Sequence, residues 1–263
     1  MIVDGKALAR DISEVLKGTI KECSKTPVLG LLMIAPTPET KSFVRIKKTK
    51  AEELGISVVE EDLALDAEQD EVVAVLQKLI EKSDGVVLQQ PIPNHLDNDA
   101  LCALIPAEKD VDALTEESIY TSPVAGAVAE ILKAYDVETQ GVNAVVIGSG
   151  KLVGKPAAKL LKDLGADVSI MTKETGLDFE KLLEARIVVS GAGRAGLLTK
   201  DMLHPDAVVI DAGTSESRGA IHGDVNPECY ENVRLVSPVP GGVGPLTVIS
   251  LFKNLAKSAS CSS

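Results

Sequence analysis

With 263 residues, 45% of them apolar and only 2% aromatic, the chain has material for one large or two ordinary cores built from Ala, Val, Ile and Leu. A formal charge of −12 excludes nucleic acid and anionic membrane as partners, but not an anionic small molecule, which needs only local positive groups. No apolar run approaches membrane-spanning length, and the opening MIVDGKALAR lacks a basic-then-apolar leader pattern. A cytoplasmic protein is expected, with no membrane contact and no metal site. Its four widely spaced cysteines, Cys23, Cys102, Cys229 and Cys261, are expected as reduced thiols.

In chain order, Leu8, Ile12, Val15 and Leu16 recur at helical spacing and predict a helix following Asp4-Gly5. Val28–Ile34 is a continuous apolar run that predicts a buried strand. Residues 39–54 read as a helix stopped by Gly55, and 57–60 as another strand. Asp66 is expected to cap a helix carrying Val72, Val73, Val75, Leu76, Leu79 and Ile80. Residues 85–88 form a strand that ends in Gln89-Gln90-Pro91-Ile92-Pro93. A second block follows Ser122-Pro123, with a helix over 126–135 and a strand over 144–147. That strand runs into Gly148-Ser149-Gly150-Lys151-Leu152-Val153-Gly154 and a helix over 156–164. Apolar runs at 168–171, 187–189 and 207–210 repeat the strand pattern. Alternating strands and helices predict an α/β fold with parallel sheets and right-handed crossovers.

Gly148, Gly150 and Gly154 make a G-x-G-x-x-x-G run between strand and helix. Such a turn presents backbone N–H groups to a dinucleotide pyrophosphate. The acidic residue expected about 20 residues further on, at the ribose hydroxyls, is Glu174. A carboxylate there favours NAD over NADP; Lys173 beside it pulls the other way. Near the end, VSPVPGGVGPLT from Val236 to Thr247 combines three prolines, three glycines and no charge, then feeds a helical segment from Pro245. A rigid, uncharged loop of this kind suits a flat heterocycle or serves as a structural turn.

Phe43 and Lys47 lie four apart on the second helix and so share a face. Alone, Lys47 reads as one more cation of a solvated face with Arg45, Lys48 and Lys50. Gln89 stands at the carboxyl end of a strand, where open α/β sheets put their ligands. Asp110 and Asp112, two apart, are expected to point to opposite sides. Together these residues offer a stacking face, a base or cation, an amide and a carboxylate, a set suited to a polar heterocycle.

The chain resembles the bifunctional methylenetetrahydrofolate dehydrogenase/methenyltetrahydrofolate cyclohydrolase family over nearly its whole length. The matches, in order, begin with Asp4-Gly5-Lys6 and with Phe43 to Lys47 for the family's Tyr-Val-x-x-Lys. Gly85 to Pro93, Lys109 to Asp112 and Ile147 to Pro156 follow, and the highly specific Pro238-Val239-Pro240-Gly241-Gly242-Val243-Gly244-Pro245 closes the set. The resemblance implies two lobes. Residues 1–121, joined by a returning C-terminal helix over 245–263, would bind folate and carry catalysis; residues 122–244 would form a Rossmann-type dinucleotide domain. It implies Lys47 as the catalytic lysine, Gln89 as its hydrogen-bond partner and Asp112 as a pterin ligand. Phe43, Pro240, Gly241 and Gly242 would line the folate site. Gly148, Ser149, Gly150, Gly154, Lys173, Glu174 and Thr214 would bind NAD or NADP, and a homodimer would be the usual assembly. The implied reaction is oxidation of 5,10-methylenetetrahydrofolate to the methenyl form and hydrolysis of that cation to 10-formyltetrahydrofolate. A lysine whose pKa is lowered by burial would manage protons around the attacking water.

Several positions depart from the family pattern. Phe43 lacks the tyrosine hydroxyl. Ser149-Gly150 replaces the Arg-Ser of the usual loop and removes a cation expected near an NADP phosphate. Ala113 stands where Gly usually follows the second Asp, 122–126 carries an extra residue, and Asp211-Ala212-Gly213-Thr214 replaces Asp-Val-Gly-Ile. The other readings are a dehydrogenase with weak or absent cyclohydrolase activity, a non-catalytic nucleotide- or folate-binding regulator, and an unrelated NAD-linked dehydrogenase.

Overall fold

A computed structural model describes residues 1–217 and 220–261. Helix α1 (Gly5–Lys21) buries Ala9, Ser13, Leu16 and Ile20, spaced 4, 3 and 4 apart, whereas Val15 is 73% exposed. The buried stripe is thus one residue off the one read from apolarity, because small Ala9 and Ser13 fit the packed face. Strand β1 (Val28–Ile34) matches its predicted bounds. Helix α2 (Pro38–Leu54) has Thr37 as N-cap, its hydroxyl accepting from Thr40 N, and Pro38 in the first turn. It ends at Gly55, whose φ of +78° is costly for a residue with a Cβ.

Strand β2 (Ser57–Leu63) runs three residues beyond its predicted end. Helix α3 (Gln69–Lys82) has Glu68, not Asp66, at its N-cap, and Glu68 makes no side-chain cap bond. Its far end is closed instead by Lys109, whose ammonium donates to Ile80 O (2.5 Å) and Ser83 O (2.9 Å). Strand β3 (Gly85–Leu88) and the short α4 (Asn98–Cys102) complete this part. All three strands are parallel, in order β2-β1-β3, with Leu32 beside Leu88. The central β1 is buried almost throughout, as a continuous apolar run requires. Leu32 and Ile34 pack with Val72, Leu76, Leu79, Val86 and Leu101 in one core.

Helix α5 (Pro123–Ala134) starts three residues before its predicted position, with Pro123 taking the first-turn place that suits proline. Then come β4 (Asn143–Ile147), α6 (Gly154–Asp163), β5 (Asp167–Met171), α7 (Phe179–Glu184), β6 (Ile187–Ser190) and β7 (Val208–Asp211). A short antiparallel pair, β8 (Ser215–Ser217) and β9 (Ala220–His222), and strand β10 (Leu235–Val236) were not anticipated. The five-stranded sheet is parallel in the order β10-β7-β6-β4-β5. Read from the β5 edge and counted along the chain, that is second, first, third, fourth, fifth, a doubly wound order with its switch point between β4 and β6. The register aligns Ile147 with Met171 and with Ser190, and Ser190 with Asp211. The loops after these four strands therefore leave from a common edge.

Helix α8 (Val243–Ser258) has Pro245 in its first turn and is apolar and buried over most of its circumference, with Phe252 fully buried. Backbone contacts divide the chain into two units, Met1–Arg10 with Pro123–Thr247, and Asp11–Ser122 with Val248–Ser263. Within the first, Val3 N donates to Val236 O at 2.9 Å. Within the second, Asn254 donates to Val111 O (2.9 Å) and Thr121 O (2.8 Å), so the last helix packs on the β2-β1-β3 unit as expected. One expectation is overturned. Cys23, just past α1, is disulfide-bonded to Cys261, just past α8, with Cα atoms 4.6 Å apart. Chain folding brings together thiols 238 residues apart, which spacing alone could not reveal; Cys102 and Cys229 are buried and not disulfide-bonded. No described helix is long and apolar enough to cross a membrane.

Candidate active site

In the β2-β1-β3 unit, α2 and the carboxyl end of β3 bring two polar side chains together. The half-buried Lys47 donates from Nζ to Gln89 Oε1 at 2.9 Å. Gln89 is itself fixed: its backbone N–H donates to Leu32 O and its Nε2 to Gln90 O, both at 2.9 Å. With the amide nitrogen engaged, the oxygen faces the lysine. Phe43, one turn before Lys47, is 47% exposed, so its ring face is open.

Asp112 joins this group electrostatically. Burial raises its pKa, the Lys47 charge lowers it, and Asp110 adds a further upward push. The two aspartates do face different surroundings. Asp110 is fully buried and turned into its own loop, accepting from Leu114 N, Thr115 N and the Thr115 hydroxyl at 2.9–3.0 Å. That turn carries Ala113 through φ +50°, where the family pattern has glycine. The preceding peptide is clamped by Asn254 through Val111 O. Gly85 passes so close that a Cβ there would meet Val111 Cγ1 at 2.5 Å.

In the other unit, the turn from β4 into α6 sits at the switch point. Gly148 has φ +101°, and an added Cβ would lie 2.8 Å from Gly191 O. At Gly154 a Cβ would lie 2.1 Å from Gly148 O, so the turn closes only on glycine. Gly150 meets nothing within 4 Å and, with Ser149, is exposed. Val153, the N-cap of α6, makes no side-chain cap bond; in the first turn Lys155 N donates to Gly150 O at 3.1 Å and Pro156 has no N–H. An open glycine turn leading into a helix start fits a dinucleotide pyrophosphate. After β5, Thr172 organises the next loop, accepting from the backbone N–H groups of Glu174 and Thr175 at 3.3 Å. A hydrogen bond from the Thr172 hydroxyl lowers the pKa of the exposed Glu174 carboxyl, which stays ionised. Lys173 and Thr214 are also exposed.

Residues 3–112 match the family model described as the tetrahydrofolate dehydrogenase/cyclohydrolase catalytic domain, and residues 122–263 match its NAD(P)-binding domain. The chain belongs to the tetrahydrofolate dehydrogenase/cyclohydrolase family. It is 37% identical over 274 residues to the bifunctional protein FolD of Lactobacillus acidophilus, covering 97% of this chain and 96% of that protein. The fold is similar to that of the Campylobacter jejuni bifunctional FolD, with TM-score 0.93 and 30% identity over 99% of this chain and 98% of that one. It is equally similar to the Trypanosoma brucei FolD complexed with NADP and an inhibitor, with TM-score 0.94 and 28% identity over 99% and 97% of the two chains.

For this family member, the structure puts Lys47, Gln89, Asp112 and Phe43 within one unit. Gly148, Ser149, Gly150, Gly154, Lys173, Glu174 and Thr214 lie on the β4–α6 turn and on the loops after β5 and β7. Pro240, Gly241 and Gly242 form a tight turn in that same unit, Met1–Arg10 with Pro123–Thr247. There Gly242 N donates to Pro238 O at 2.8 Å, Gly241 has φ +107°, and a Cβ on Gly5 would lie 1.9 Å from Gly242 O. Sequence reasoning missed two buried polar residues, Asn254 and Asp224. Asn254 carried no signal beyond being an amide in a largely apolar helix. Asp224 had one: it follows Gly223 directly, and a glycine before a buried carboxylate marks a crowded backbone.

Proposed function

We propose that the protein oxidises 5,10-methylenetetrahydrofolate to 5,10-methenyltetrahydrofolate with NAD(P) and hydrolyses that product to 10-formyltetrahydrofolate. The observation that carries this reading is the 2.9 Å Lys47–Gln89 hydrogen bond, made within electrostatic reach of the Asp112 carboxyl. In it, residues 1–121 with 245–263 serve folate, and residues 122–244 serve the dinucleotide, which when bound supplies the hydride acceptor.

Asp112 binds the pterin. A carboxyl short of water gains most from the N–H donors of a flat heterocycle. Phe43 offers its ring for stacking, and the uncharged turn of Pro240, Gly241 and Gly242 is assigned to folate by the family resemblance. The oxidation needs orientation more than acid–base help, since the folate nitrogens stabilise the methenyl cation. Hydrolysis needs proton management: water adds to the methenyl carbon, the ring opens, and a proton moves to the departing nitrogen. Lys47 is the group in place for it, and Gln89 Oε1, by accepting one ammonium N–H, sets where the others point.

Gly148, Ser149, Gly150, Gly154, Lys173, Glu174 and Thr214 hold the dinucleotide, and NAD is used at least as well as NADP. Ser149 brings no cation to a 2′-phosphate, and the ionised Glu174 accepts from ribose hydroxyls while repelling that phosphate. We place the protein in the cytoplasm as a homodimer. Methylenetetrahydrofolate supplied with either cofactor, with the methenyl absorbance followed, tests the reading. Product is expected with both cofactors, and a tenfold preference for NADP, about 1.4 kcal/mol, overturns the cofactor assignment. Absence of product with both overturns the reaction.

A further inference from the structure

Two aspartates that no part of the proposed chemistry uses are completely buried beside the dinucleotide turn. Asp224 follows β9, and its carboxylate collects donors from one stretch of chain. Oδ2 accepts from the Ser190 hydroxyl and from Ala192 N, each at 2.7 Å, and Oδ1 accepts from Arg194 N at 2.6 Å. Ser190 ends β6, so the three bonds fix the loop at the strand's carboxyl end. That loop in turn touches both ends of the β4–α6 turn. Gly148 is packed against Gly191 O, and a Cβ on Gly191 would meet Val153 Cγ1 at 2.3 Å.

The carboxylate is locked from behind. Asp211, at the end of β7, accepts from Asp224 N (3.1 Å), Val225 N (2.8 Å) and Gly213 N (3.0 Å). Its own N–H donates to the Ser237 hydroxyl at 2.8 Å. Gly213 crosses directly over Asp224, where a Cβ would lie 2.2 Å from its carboxyl carbon. Gly223 crosses Asp211, where a Cβ would lie 2.1 Å from Oδ2. Burial, with the Asp224 charge adding, pushes the Asp211 carboxyl up to about 6.

We propose that Asp224 is a positioning residue for dinucleotide binding: it holds the Gly191–Arg194 loop against Gly148 and Val153 and so sets the shape of the glycine turn. The proposal rests on reading that turn as the pyrophosphate site. In Asp224→Asn an NH₂ group replaces one acceptor oxygen and faces an N–H or O–H donor, so the loop must move. The loss of a hydrogen bond to a charged group predicts a rise of about tenfold or more in the dinucleotide KM, and in its Kd by calorimetry. Hydrolysis of supplied methenyltetrahydrofolate needs no dinucleotide and should change less than about twofold. Ser190→Ala, which removes one donor and leaves the loop N–H bonds, should raise the same KM by about threefold and serves if Asp224→Asn does not fold. Unchanged dinucleotide Kd in the variants overturns the proposal, as does an equal fall of both activities, which would mark a general structural role. If the wild-type protein itself binds neither NAD nor NADP, the dinucleotide reading is overturned instead.

Discussion

The departure of Phe43 from the family's tyrosine is where this site's chemistry is most exposed to test. The ring can still stack on the pterin or the aminobenzoyl group, so binding and hydride transfer survive. What is missing is a hydroxyl one helical turn from Lys47, able to help hold the ammonium and a water; here Gln89 is the partner that restrains Nζ among the described residues. Positioned acid–base groups contribute on the order of 10²–10⁴ in rate, so weaker positioning falls mainly on hydrolysis. Methenyltetrahydrofolate is therefore expected to accumulate during turnover, and Phe43→Tyr to raise hydrolysis severalfold with little change in the oxidation rate. Time courses of the methenyl absorbance decide it, and an unchanged hydrolysis rate in Phe43→Tyr would show the hydroxyl to be dispensable. The partnership of Lys47 with Gln89 was foreseen only through the family resemblance; helix periodicity alone left Lys47 as one more cation on a solvated face. The inward role of Asp110 was not, because its three donors are backbone and hydroxyl groups of residues that look like any loop.

At the scale of elements, α8 does more than close the fold. Asn254 spends both amide protons on carbonyls 143 and 133 residues away in sequence, one of them Val111, next to Asp112. Leu255 packs beside Gly85 within the same unit, where a Cβ on the glycine would meet it at 2.9 Å. Asn254→Ala leaves two carbonyls without these donors and is expected to cost about 2–3 kcal/mol, read from urea unfolding. It should also raise the KM for folate, because the Val111–Asp112 peptide loses its anchor. A cost below about 0.5 kcal/mol would mean that the clamp carries little. The strands and long helices were readable to within a few residues, since buried parallel strands are continuous apolar runs. The caps were less so: Asp66 has the right chemistry, but α3 starts later and is closed at its far end by Lys109, which no local pattern couples to it.

Across the whole molecule, each parallel sheet has a predicted site segment leaving a strand's carboxyl end: Gln89 directly after β3 and the glycine turn directly after β4. Strand–helix alternation was enough to foresee that arrangement. It was not enough to foresee the Cys23–Cys261 disulfide or the interlocked pair Asp211 and Asp224, which depend on how distant loops cross. In the proposed function, Lys47, held by Gln89 and within electrostatic reach of Asp112, carries the hydrolytic step. Its most direct test is the decay of supplied 5,10-methenyltetrahydrofolate in the presence of wild-type protein and of Lys47→Ala. Wild-type protein is expected to accelerate the decay, and Lys47→Ala to lose the acceleration by about 10²-fold or more while dinucleotide Kd is unchanged. A Lys47→Ala protein that hydrolyses the methenyl compound at the wild-type rate would contradict it.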